Sequence, residues 1–94
     1  MIGRVTLPAD KALHLAVRSL TGAGPQRERL YHAYRFFLRN LRPEDLPAGE
    51  RDGFAAWRGT IEEGGDKLMA HLEGMTNERV DGLVRQVLRW AGVA

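Results

Sequence analysis

Apolar residues recur at helical spacing along the whole chain, and nowhere do they alternate as they would in a half-buried strand. The pattern predicts five segments. The first covers about residues 7–21, with Ala9, Ala12, Leu13, Ala16, Val17 and Leu20 on one stripe. Pro8 suits a first turn, and Asp10 suits the positive end of the helix dipole. The stretch TGAGP ends the segment: Gly22 is the expected stop, and Pro25 opens the next helix. The second segment, about 25–41, turns Leu30, Ala33, Tyr34, Phe37, Leu38 and Leu41 inward, with Tyr31 at the edge. RPEDLP then interrupts the chain with two prolines.

A third segment, about 46–62, is expected to start from an Asp45 cap with Pro47 in its first turn and to bury Leu46, Phe54, Trp57 and Ile61. Gly49, Gly53, Ala56 and Thr60 share another side of it. They read either as a weak solvent-facing strip or as a flat patch for close packing of another helix. Gly64-Gly65 marks a turn. Asp66 is the expected cap of a short fourth helix with Leu68, Met69, Leu72 and Met75 inward. The fifth, about 77–91, starts at Thr76 and turns Val80, Leu83, Val84, Val87, Leu88, Trp90 and Ala91 to one side. Gly92-Val93 fits its end. The fold class is therefore all-α: one domain over residues 1–94, a compact bundle of four to five short antiparallel helices.

One residue breaks the pattern of the second segment. Phe36 lies about 240° round the helix from Leu30, at about 100° per residue. That places it opposite the apolar stripe, among Arg29, His32 and Arg39, with Arg35 beside it. Burying a phenylalanine contributes about 1.5–3 kcal/mol, so something is expected to cover it: another part of the chain, a second copy, or a different partner. Phe36→Ser separates the three through stability, oligomeric state and partner binding.

Charge adds an asymmetry. Residues 1–42 hold eight Lys/Arg against two acids, and residues 43–82 hold four against ten. Such a division reads either as a basic surface for a partner or as two halves facing each other within the fold. Ninety-four residues suffice for one core. No apolar run approaches the ~18 residues of a membrane span, and the N-terminal stretch does not read as a signal peptide. There is no cysteine, which fits a reducing, cytoplasmic setting. Ser19 is the only serine and lacks a nucleophile-elbow context. No phosphate-cradling glycine motif is present. His14, His32 and His71 fall on separate segments, without the spacing of a metal site, and are expected to be solvated. Glu62-Glu63 reads as an acidic helix end. No catalytic, cofactor-binding or metal-binding residue is assigned, and no cofactor is expected.

The pieces Arg27–Leu30, Ala33-Tyr34, Leu38, Leu41 and Pro43–Pro47 follow a pattern of the form RERLxxAYxxxLxxLxPEDLP, Phe54 stands as a spaced phenylalanine beyond it, and Met75–Leu88 corresponds to a closing helix of the form MxxxExxxLxxxILxL. Over about two-thirds of its length the chain thereby resembles small uncharacterised bacterial all-helical proteins. The segment GGDKLMAHLEGM departs from them in composition. The resemblance implies a cytosolic helical protein and carries over no catalytic residue.

The leading functional expectation is a non-catalytic protein-interaction module, an accessory or regulatory subunit whose partner is another protein or a second copy of itself. Its candidate interface is Arg29, His32, Arg35, Phe36 and Arg39. The alternative is nucleic-acid binding. Arg27, Arg29, Arg35, Arg39 and Arg42 would contact phosphates and Phe36 would stack on a base, though Glu28 interrupts that face.

Overall fold

The computed structural model describes residues 8–92. Among them are five α-helices and no strand: α1 (Ala9–Leu20), α2 (Gln26–Ala33), α3 (Arg51–Glu62), α4 (Leu68–Glu73) and α5 (Asn77–Trp90). Short 3-10 turns at Pro43–Asp45, Ala48–Glu50 and Gly65–Lys67 join them. The second helix packs against α1, α4 and α5. Leu30, Ala33 and Leu38 are fully buried on it, so it sits at the centre of the bundle, as its continuous apolar stripe requires.

That helix is not α-helical to its end. Residues Tyr34–Leu38 form a π turn, closed by the Arg39 N–H donating to the Tyr34 carbonyl five residues back at 2.7 Å. Each residue of a π turn advances by less than the about 100° of an α-helix. Leu38 therefore drops into the middle of the stripe, and Phe37 lags toward its flank. The outcome corrects the expectation for Phe37: it packs against the core but is only partly buried. Phe36 remains opposite the stripe under either pitch.

The core centres on aromatic rings. Trp57 stacks on Phe54 at 5.9 Å between centroids, meets Trp90 edge-on at 5.8 Å and lies 6.2 Å from Tyr34. Its indole N–H donates to the Leu83 carbonyl on α5 at 3.0 Å. One large residue thus ties α3 to both α2 and α5.

The segment boundaries follow local chemistry. Thr76 caps α5 as expected, its hydroxyl accepting from the Arg79 N–H at 3.1 Å. Asp45 instead accepts from the Arg42 N–H at 3.0 Å and stabilises the Pro43–Asp45 turn; α3 begins only at Arg51. Asp66 lies within a 3-10 turn and does not cap α4. Between α1 and α2 the left-handed residue is Gly24, at φ 102°, rather than Gly22. Gly64 is needed for space: a Cβ there would stand 2.7 Å from the His71 Cβ. His71 is partly buried, not solvated, and its Nε2 donates to the Thr60 carbonyl at 2.9 Å.

Gly49, Gly53 and Gly59 have open space where a Cβ would be, and Gly53 and Ala56 are exposed. Among the described residues no helix packs on these glycines. Gly53→Ala and Gly59→Ala should therefore each raise stability by about 0.5–1 kcal/mol, since alanine restricts the unfolded chain and meets no obstruction. Urea denaturation measures the gain, and a loss at either site would show that the strip is covered.

Candidate interaction face

The outer face of α2 carries an ordered row of rings. Tyr31 meets His32 edge-on at 5.6 Å, and His32 stacks on Phe36 at 5.7 Å with 9° between planes. Arg35 donates to the Tyr31 hydroxyl at 2.9 Å, and its guanidinium carbon lies 5.9 Å from the centre of that ring. The i, i+4 spacing of His32 and Phe36, and of Tyr31 and Arg35, makes both pairings possible on one helix surface. Phe36 is 62% exposed, the only large apolar side chain so exposed among the described residues. One side of its ring rests on His32, so its rotamer is restrained before any partner arrives.

Of the five predicted interface residues, His32, Arg35, Phe36 and Arg39 are exposed on this helix. Arg29 has another task. Its guanidinium donates to the Leu20 carbonyl and, at 2.9 Å, to the Gly24 carbonyl, closing the α1–α2 turn. Arg27 is likewise committed, to the Leu72 and Met75 carbonyls and the Asn77 side chain. Arg51 donates to the Leu46 carbonyl at 3.0 Å and Arg58 to the Leu41 carbonyl at 2.6 Å. Four arginines therefore serve backbone oxygens at turns and helix ends. The ion pairs among the described residues are Arg58–Glu62, Arg85–Asp81 and Arg89–Glu50. None joins the basic first 42 residues to the acidic middle.

Beside the aromatic row is a groove of about 600 Å³. Tyr31, Tyr34, Arg35 and Arg39 form one wall, and Glu62, Asp66, Lys67 and Met69 lie across it at the α3–α4 junction. The sequence gives no sign of this groove, because it depends on how the α3–α4 turn is placed against α2.

At its base the Tyr34 hydroxyl lies 3.4 Å from Glu62 Oε2, which also accepts from Arg58 Nε at 3.0 Å. Burial, and then the Glu62 charge, raise the Tyr34 pKa above 10, Arg58 and Arg39 opposing in part. Because the folded state holds this proton more tightly than the unfolded one, the associated stability is complete below pH 10 and is lost as pH rises through the folded pKa. The chain has two tyrosines. In Tyr31→Phe protein, phenolate absorbance should therefore report Tyr34 alone and reach its midpoint above pH 10; a midpoint at or below 10 would contradict the burial argument.

Among the described residues no three His, Asp or Glu side chains group as a metal site would require. No helix among them is long and apolar enough to cross a membrane. Comparisons with protein-family models, curated proteins and solved structures give no match to this chain.

Proposed function

We propose that this chain is a non-catalytic protein-interaction module, a small accessory or regulatory subunit of a bacterial complex, that engages its partner through the outer face of α2. The observation carrying this reading is the exposed, pre-stacked Phe36. Aromatic residues and arginine are the side chains enriched at the centres of protein interfaces, and an anchor already held in one orientation loses little entropy on binding. Arg35 and Arg39 supply the polar surround.

Nucleic-acid binding is the weaker reading. Arg27 and Arg29, two of its five phosphate-contacting arginines, donate to backbone carbonyls of their own chain. Glu28, Glu62 and Asp66 interrupt what remains of a cationic track.

Phe36→Ser is the decisive variant. An exposed substitution away from caps and core changes stability by about 0.5 kcal/mol or less, so the melting temperature should barely move. A partner captured from a lysate of the source cells by the parent protein should be lost by the variant. Equal capture by both proteins would remove Phe36 from the interface. A large fall in melting temperature would show that Phe36 serves the fold.

A further inference from the structure

Three cations around the groove take part in none of the ion pairs among the described residues: Arg35, Arg39 and Lys67. Of the two acids there, Glu62 is already occupied by Arg58 and the Tyr34 hydroxyl. Asp66 is the one remaining negative charge on the lining. The groove is thus cationic on balance, and its α2 wall adjoins the row that ends at Phe36.

We propose that the occupant of this face is an acidic segment of a partner protein, laid across Arg35 and Arg39 with an apolar side chain against the open side of Phe36. The proposal rests on the interaction reading above and specifies the partner's chemistry. Carboxylates of such a segment would reach Arg35 and Arg39, with Lys67 across the groove. Their pairing would neutralise charges that the chain itself leaves unmatched, while the apolar residue covers the exposed ring.

Charge also decides against the other occupants. A second copy related by a two-fold axis at Phe36 would set Arg35 and Arg39 of each chain against the same residues of the other, and like charges brought together oppose association. A nucleic-acid strand favours a long, continuous cationic track. Here Arg27 and Arg29 are spent on carbonyls of their own chain, and the cations left around the groove are Arg35, Arg39 and Lys67, enough for a short acidic segment but not for a strand.

The test is selection of displayed random 16-residue peptides on the parent protein, with counter-selection on Phe36→Ser. Recovered peptides should be enriched in Asp and Glu around one or two apolar residues. Their affinity should fall about tenfold or more for Phe36→Ser, mainly through faster dissociation. The double variant Arg35→Glu, Arg39→Glu should slow association, flatten the salt dependence and, used as bait, lose the acidic bias. Circular dichroism checks that each variant keeps its fold.

Phe36-dependent peptides without acidic enrichment would overturn the acidic partner and leave the interaction reading standing. A selection yielding no Phe36-dependent peptide would overturn both. Dimerisation in light scattering that Phe36→Ser abolishes would assign the face to a second copy. Tighter binding of a single-stranded 16-nucleotide DNA than of any selected peptide would assign it to nucleic acid. Either result ends the proposal.

Discussion

Trp57→Ala should leave the protein close to unfolding at 37 °C. Truncating a buried tryptophan costs about 3–5 kcal/mol in lost transfer energy and residual cavity. Loss of the indole N–H bond to the Leu83 carbonyl, which keeps its own helical donor within α5, adds about 0.5–1.5 kcal/mol. A chain of 94 residues has a total stability of about 5–14 kcal/mol, so this one substitution removes much of it. The cost is high because Trp57 is 2% exposed, touches rings from α2, α3 and α5, and donates to Leu83 at 3.0 Å. Trp57→Phe separates the contributions: it keeps an aromatic ring against Phe54 and Trp90 but deletes the N–H, and should lose about 1.5–3 kcal/mol. Urea unfolding followed by circular dichroism reads both. A loss below about 1 kcal/mol for the alanine variant would mean that the cluster closes over the gap and that the helices are held mainly elsewhere.

The inward faces were legible from spacing alone. Leu30, Ala33 and Leu38 on α2 and its extension, and Val80, Leu83, Val84 and Val87 on α5, are all buried, because a helical repeat maps onto one side of a helix. The exposure of Phe36 was legible for the same reason: a residue opposite the stripe stays there whether the turn is α or π. Phe37 was misplaced because periodicity assumes one pitch, and composition gives no signal for the π turn.

The arginines were the largest loss of information. A surplus of arginine in the first half reads as a surface for anions. Yet Arg27 and Arg29 are spent on carbonyls, and the acceptor of Arg27 at Leu72 lies 45 residues away in the chain. No local pattern marks such a pair, since every residue offers a carbonyl and only the tertiary arrangement decides which of them a distant guanidinium reaches. Of the predicted interface, His32, Arg35, Phe36 and Arg39 could be placed by angle on one helix. The groove beside them could not, because its far wall comes from the α3–α4 junction.

Arg27 leads to the second large effect. Its Nε donates to the Leu72 carbonyl at 2.9 Å, Nη2 to the Met75 carbonyl at 2.5 Å, and Nη1 to Asn77 Oδ1 at 2.9 Å. One guanidinium near the start of α2 thereby holds the end of α4 and the start of α5. The six residues of α4 have no side-chain cap at their N-terminus, and so short a helix has little stability of its own. A cation at its C-terminal carbonyls also opposes the negative end of the helix dipole. Arg27→Met keeps most of the aliphatic stem but removes every donor, and should cost about 2–3 kcal/mol, in the range for hydrogen bonds to charged groups. Arg27→Lys should fall between the two: it restores the charge, but a single ammonium cannot reproduce the planar fork that reaches three acceptors at once. The loss should be local before it is global. In hydrogen exchange, amides of α4 and the first turn of α5 should lose protection in Arg27→Met while those of α1 keep theirs up to the global limit. Uniform loss along the chain would mean that α4 unfolds only with the whole protein, and unchanged protection in α4 would mean that its packing through Leu68 and Leu72, not Arg27, holds it in place.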